Sequence, residues 1–363
     1  VIKYSYHLPM KILAIESSCD ETACAVVEDG WKVLSNEVFS QAKMHAKTGG
    51  VVPEVAAREH IIKITPVIDS ALKSANLGFD DIDAIAVTKG PGLVSSLIMG
   101  TEAASVISFV MKKPVIPVHH IVGHIYGNFL DNEPSSINFP ILVLTVSGGH
   151  NELILMRSHC DFTVLGETRD DAAGEAFDKV ARILGLGYPG GPAVSEAALK
   201  GNPKAYDFPR SKLEEGSLDF SFSGVKTAVL SEVKMSNKNG APLVSIDPSR
   251  VPDIAASFQE AVVDVLTDKI LQAFWELKKN GIIVHEIHLA GGVSANGSLR
   301  STLEKKVSVI KNSEIKVRWP KKISYCTDNA AMIASAAYFI YKKSPDSYKA
   351  CTNITPTTNF DLF

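Results

Sequence analysis

Three histidines fall within six residues of the stretch KKPVIPVHHIVGHIYGNF, and two of them, His120 and His124, are four residues apart. Positions i and i+4 share one face of a helix. Two neutral imidazoles on such a face can hold a divalent metal, as the paired histidines of HExxH helices do. The same spacing also fits two half-buried histidines packed beside Ile121 and Ile125, so the pair alone is a weak signal and needs a third ligand.

YCTDNAAMIASAA offers one. Asp328 stands at a helix start, ahead of a run of small residues. As an N-cap it would only satisfy free backbone amides. As a hard carboxylate beside two imidazoles it would complete a 2-His-1-carboxylate set suited to Fe, Zn or Mn.

The elements that must position these groups are legible as alternating strands and helices. Lys11–Glu16 is an apolar run of strand length ending at the polar cluster SSCDET. Ala23–Val27 follows as a second strand, and Lys32–Val38 completes a hairpin or meander. Pro53–Ala75 has helical periodicity through Ile61, Ile64, Val67, Ile68, Ala71 and Leu72. Ile82–Val87 is a buried-type strand running into a Gly90-Pro91-Gly92 turn and a helix from about Leu93. Val115–Val118 is the strand before the histidines.

A similar layout recurs. Phe139–Val146 ends in SGGHNELILM, and Ile282–Ala290 ends in GGVSANGSLRSTLEKK. These junctions put small or acidic residues at strand carboxyl ends, where α/β folds bind ligands and free backbone N–H groups can hold phosphate oxygens. The duplicated strand–turn–strand pattern, near Ile12–Val27 and again near Ile141–Met156, predicts two related lobes. Each is a mixed sheet flanked by helices, with a nucleotide in the cleft between them. Between about Asn202 and Val251 the texture shifts to Pro, Ser, Lys, Asn and Gly, which reads as an insertion or lid.

SGGH (Ser147–His150), YPGGP (Tyr188–Pro192) and AGGVSAN (Ala290–Asn296) place paired glycines at element ends. One such pair is an ordinary turn; three raise a phosphate cleft to an even alternative. None matches GxxxxGK[ST] or GxGxxG, which argues against a P-loop or Rossmann site. On the helix from about Ala172, Glu175, Asp178 and Lys179 share a face, while Phe177, Val180, Ala181 and Leu184 make the apolar one. A solvated ion pair accounts for Glu175 and Lys179. Asp178, near the glycine turn, is placed to accept from a ribose or substrate hydroxyl.

Composition bounds the answer. At 363 residues with 45% hydrophobic and 21% charged content, the chain has the make-up of an ordinary two-domain globular protein, and no apolar run reads as a membrane span. Five scattered cysteines without a CxxC argue against a disulfide framework or zinc ribbon and fit a reducing cytoplasm. The net charge of −3 leaves no global basic field for nucleic acid. KVRWPKK offers a local patch, with Lys316, Arg318, Lys321 and Lys322 around Trp319; a solvated strand edge is the competing reading. Lys43, Lys47 and Arg58 are alternative phosphate contacts. Val1–Pro9 reads as an extension ahead of a natural start at Met10, without the features of a secretory signal.

ESSCDET, GGVVPEVAAREH, KGPGLVSSLIMG, VHHIVGH, VSGGH, DDAAGEAFDK, YPGGP, FSFSGVKTAV, AGGVSAN and CTDNAAMIA occur in this order, from Met10 to about Tyr341. Together they closely resemble the TsaD family of tRNA threonylcarbamoyladenosine transferases, in its bacterial and organellar branch. The resemblance implies an α/β, two-lobed actin-like ATPase (sugar-kinase and Hsp70-like) fold with a helical insertion in the second lobe. On it, residues 1–9 are the extension and 10–125 the first lobe, completed by a helix at about 330–343. Residues 126–329 are the second lobe, with its insertion at about 202–251, and 344–363 are a tail.

It further implies transfer of threonylcarbamoyl from threonylcarbamoyl-AMP to N6 of the adenosine 3′ of the anticodon in ANN-decoding tRNAs, with a metal-assisted site between the lobes. By motif position His120, His124 and Asp328 match the metal ligands, for one divalent metal per subunit, Fe(2+) with Zn(2+) as the alternative. Thr145, Val146, Ser147, Gly148 and Gly149 match the strand-end loop that holds the adenylate (threonylcarbamoyl-AMP or ATP). Asp178, Gly191 and Asn296 match other substrate contacts. Asp20 and Glu21 match the acidic pair needed for activity, and Cys19 reads as a packed thiol, not a nucleophile.

The implied partners are tRNA, an inactive paralogue and a small P-loop ATPase, in the cytoplasm and without a membrane. Two positions depart from relatives: Thr145 stands where the archaeal and eukaryotic branch has a metal-binding tyrosine, and Ser195 stands where some relatives have an acid. The rivals are a metallopeptidase, a sugar or acetate kinase, and a non-catalytic actin-like module. The first lacks the HExxH glutamate, since Ile121 follows His120; the other two do not account for His120, His124 and Asp328.

Overall fold

The computed structural model describes residues 9–211, 213–235, 247–310, 314–350 and 353–358. Residues 1–8 of the expected extension lie outside them, as do 236–246 of the insertion and, from the tail, 351–352 (with Cys351) and 359–363. The chain divides into two compact units: residues 1–41, 51–136 and 320–363 form the first, and 42–50 with 137–319 the second.

The first unit is built on strands β1 (Lys11–Glu16), β2 (Glu21–Glu28), β3 (Lys32–Ser40), β4 (Ala84–Gly90) and β5 (Val115–His119), in the order β3-β2-β1-β4-β5. β1, β2 and β3 form an antiparallel meander, while β4 and β5 run parallel to β1. β1 and β4 are near-continuous buried apolar runs, as parallel strands covered on both faces require. Leu13, Ile15, Val26, Ile85 and Val87 make the core with Val67, Ile68 and Leu72 of the helix Pro53–Ala75. That helix starts with Pro53 in its first turn, where a missing N–H costs nothing, and ends at Asn76 in the left-handed conformation.

The helix Val94–Met111 carries one charge, Glu102, and is long and apolar enough to cross a membrane by length and composition, contrary to the sequence reading. Its small residues Ser96, Gly100, Thr101, Ala104 and Ser108 are buried, and it packs against β4.

Two further helices complete this unit. His120–Tyr126 follows β5 directly and is buried throughout; Ala330–Lys343 packs on it and on β1 and β2. Gly123 lets them approach, since a Cβ there would lie 2.6 Å from Ile333 Cδ1 and 3.3 Å from Met332 Cγ.

The second unit repeats the plan. β6 (Ile141–Val146), β7 (Asn151–Ser158), β8 (Asp161–Glu167), β9 (Glu286–Ala290) and β10 (Lys316–Arg318) lie in the order β10-β9-β6-β7-β8. Again the first three are antiparallel and the last two parallel to the first. The 29-residue helix Val251–Lys279, not read from the sequence, runs through the core beside Ala173–Ile183, Gly190–Ala198 and Ser223–Met235, with Phe258 edge-on to Phe177 at 5.2 Å.

Candidate functional site

β1, β4 and β5 are parallel, so Glu16, Gly90 and His119 end at the same edge of the first sheet. His119 caps the helix that follows, its Nδ1 accepting from the Ile121 N–H at 3.1 Å. His120 and His124 then fall one turn apart, with ring centroids 4.7 Å apart and interplanar angle 77°.

Asp328 meets them from the bend ahead of the helix Ala330–Lys343. It is not that helix's cap: Asn329 takes this role, accepting from the Met332 N–H at 3.1 Å. Asp328 Oδ1 lies 3.6 Å from His120 Nε2 and 3.2 Å from His124 Nε2, and one ligand atom from each residue falls within 4.8 Å of the others. Tetrahedral ligands at ~2.1 Å from an ion would be about 3.4 Å apart, so the spacing fits a single ion. His124 is 1% exposed, and neither of its ring nitrogens makes a hydrogen bond among the described residues. A buried imidazole left so, with a carboxylate oxygen beyond hydrogen-bond geometry at 3.2 Å, suits a cation bridging the two. The donor set is two nitrogens and an oxygen, as Fe or Zn accepts.

Burial opposes charge on His120, but Asp328 and Glu16 outweigh it and lift the imidazole to about 9. Glu21 is pushed up to about 9 by burial, with Asp328 and Asp20 adding to it, and it accepts from Ser40 Oγ at 2.8 Å. Asp20 is buried at the same turn. His60, not singled out in the sequence, holds this turn, with Nε2 3.0 Å from the Cys19 carbonyl and Nδ1 2.8 Å from Thr22 Oγ1. Burial and Asp20 raise the Cys19 thiol above its ordinary range, which fits a packed thiol.

In the second unit, β6 and β9 are parallel neighbours, and their carboxyl ends carry Ser147–Gly149 and the Gly291–Asn296 turn. Thr145 is buried and its hydroxyl donates to the Glu152 carbonyl at 3.2 Å. Val146 is buried; Ser147 closes the turn with its N–H on the His150 carbonyl at 2.9 Å. Gly148 and Gly149 are exposed, with open space where a Cβ would stand. The loop sits on the start of the helix Ala173–Ile183, where a Cβ on Gly174 would be 2.4 Å from the Ser147 carbonyl oxygen.

Asp178 accepts from the Gly190 N–H at 2.7 Å, which fixes the YPGGP turn, and Gly191 faces open space. Asn296 caps the helix Gly297–Ser308 through the Leu299 N–H at 3.0 Å and donates to Ser195 Oγ and Gln259 Oε1. Lys179 pairs with Glu175 and Asp171 at 2.7 Å each, the ion-pair reading of that face.

The KVRWPKK basics are largely engaged elsewhere. Arg318 pairs with Glu286, which is fully buried and, despite that burial, held at about 2 by His288 and Arg318. Trp319 packs on the core under Arg300; Lys321 donates to the Asp131 carbonyl and Lys322 to its carboxylate. Lys316, Lys43, Lys47 and Arg58 are exposed.

The family model described as TsaD, tRNA N6-adenosine threonylcarbamoyltransferase, matches residues 32–335. The chain is 51% identical over 332 residues to the tRNA N6-adenosine threonylcarbamoyltransferase of Desulfitobacterium hafniense (strain Y51), covering 92% of each. It is 51% identical over 330 residues to that of Geobacillus thermodenitrificans (strain NG80-2), covering 91% of each. Among solved structures it is similar to full-length HypF in the phosphate- and nucleotide-bound form, with TM-score 0.57 and 14% identity over 92% of this chain and 46% of that one. That likeness shows the fold alone, the two-lobed actin-like ATPase architecture. With the family model matching most of its length and half its residues identical to those relatives, the chain belongs to the TsaD family of tRNA N6-adenosine threonylcarbamoyltransferases.

Proposed function

We propose that this protein transfers the threonylcarbamoyl group from threonylcarbamoyl-AMP to N6 of adenosine 37, immediately 3′ of the anticodon, in ANN-decoding tRNAs. The observation that carries the reading is the cluster of the buried His120 and His124 with the half-buried Asp328 in a chain 51% identical to enzymes of that name. The three residues would hold one divalent metal, Fe(2+) or Zn(2+). When bound, it supplies a Lewis acid that draws electron density from the carbamoyl carbonyl.

The chain's own groups supply the rest. Exposed amides of Gly148 and Gly149, with Gly191, are donors for the adenylate phosphate, and Asp178 and Asn296 fix the turns around them. The adenosine amine attacks the carbamoyl carbon, the bond to the phosphate oxygen breaks and AMP leaves. Of the acidic pair, Asp20 is the candidate acceptor for the proton lost from N6. Glu21, which accepts from Ser40 Oγ, shapes the turn.

The mild negative charge and the engaged KVRWPKK basics support reliance on partners for tRNA capture. Exposed Val55 and Ile62 on the helix Pro53–Ala75, and Val106, Phe109 and Val110 on Val94–Met111, support an apolar protein contact. The inactive paralogue is the partner of that kind, beside the small P-loop ATPase, in the cytoplasm.

The test is reconstitution with those partners, threonylcarbamoyl-AMP and unmodified ANN-decoding tRNA, reading the modified nucleoside by mass spectrometry. Wild type yields it and His124→Ala does not. No product from wild type, or full product from the variant, would sink the reading.

A further inference from the structure

We infer that Glu16 is the positioning residue of the metal centre: a buried carboxylate that clamps His120 by Nδ1 and so turns Nε2 toward the ion. The inference rests on the metal reading above. Glu16 ends β1 and is fully buried. Its Oε2 lies 3.2 Å from His120 Nδ1, on the ring edge away from the Nε2 that faces Asp328.

Both carboxylate oxygens are held in turn. Oε1 accepts from the Ser18 N–H, and Oε2 accepts from the Thr88 hydroxyl on β4. A backbone N–H can only donate, so the carboxylate is fixed as an acceptor from the turn after β1 and from β4, and cannot swing away. Ser18 Oγ lies 3.2 Å from the same Nδ1 and shares its proton. A cation on Nε2 would displace that nitrogen's proton and leave the other on Nδ1 facing Glu16, the arrangement in which an outer carboxylate orients a metal-bound histidine. Glu16 is not itself a ligand, since the cluster within ligand reach is His120, His124 and Asp328. His124 has no equivalent clamp among the described residues, so the two histidines are unequal: one is anchored by an outer carboxylate and the other is not.

The test uses the full chain, stripped of metal, without tRNA or nucleotide, titrated with Co(2+) and followed by its d–d absorption. Wild type takes up Co(2+) and His124→Ala does not. Glu16→Gln, which preserves shape, weakens Co(2+) binding on the order of 10–100-fold, the usual loss on removing an outer-shell partner, while its metal-free melting curve overlays wild type. Thr88→Val, which frees one oxygen of the clamp, gives a smaller loss in the same direction and decides the matter if Glu16→Gln does not fold. Folded variants that bind Co(2+) as wild type does would overturn the inference and leave the metal reading standing. Failure of wild type to bind Co(2+) would overturn both.

Discussion

The two sheets share strand order and strand sense, yet their carboxyl ends carry opposite chemistries. In the first unit that edge holds buried titratable side chains, Glu16, Asp20, His120 and His124. In the second the loop after β6 presents backbone, with Gly148 and Gly149 facing open space. On the proposed reading, one scaffold would serve side-chain coordination in one copy and amide donation in the other. What specialises each copy lies at the strand end and in the turn beyond it.

If that division is real, the two edges fail separately. The largest effect is expected from Asp328→Ala, which removes the only carboxylate of the cluster. Metal content measured by plasma mass spectrometry should fall to background and product formation by more than about 100-fold, beyond the loss typical of outer-shell partners. Binding of an ATP analogue should be unchanged, and its loss would break the division.

Gly174→Val is the converse. Its Cβ would stand 2.4 Å from the Ser147 oxygen and 2.8 Å from Gly148 Cα, both backbone, so the loop must move. Stability should drop by roughly 1–3 kcal/mol and analogue affinity on the order of tenfold, with metal content retained. Equal loss of metal would contradict separate edges.

The smallest effect concerns Glu152, buried on β7 and lifted to about 7 by burial and by Glu167. The folded state binds this proton more tightly than the unfolded one. Stability is therefore lost as pH rises from about 4.5 to about 7, and the penalty is complete above that. Glu152→Gln should raise the melting temperature at pH 8, with the gain shrinking toward pH 5. A gain independent of pH would assign the effect to packing.

Much of the fold was legible because buried strands announce themselves: β1 was read to the residue, and the repeat of strand–turn–strand gave the two units. β8 and the helix Val251–Lys279 were not read, the first because its residues are only half-buried and lack a run of apolar character. At the site, spacing alone offered His120 and His124, while Asp328 remained ambiguous. Asp328 and Asn329 stand side by side before an apolar run and either could cap it; only the backbone geometry that gives the cap to Asn329 frees Asp328 for the histidines.

Glu16 was read as a strand end because its partner is 104 positions away. The KVRWPKK patch misled for a related reason: the buried Glu286 and the Asp131 carboxylate that engage it are distant in sequence and carry no local signal. Pairings of this kind are made by the fold, and no window along the chain contains them.

The chain leaves the first unit at Ser136 and returns to it at Pro320. On the ribosome, His120 and His124 therefore emerge with the first unit, while their carboxylate waits for the whole of the second to be synthesised. Domains tend to fold as they emerge, so the first unit spends that interval without its closing helix Ala330–Lys343. A nascent or truncated chain ending before residue 328 has the two imidazoles and no third ligand. On the proposed metal reading, the full ligand set exists only once the second unit and residue 328 have been made, so metal capture would report that the second unit has been synthesised.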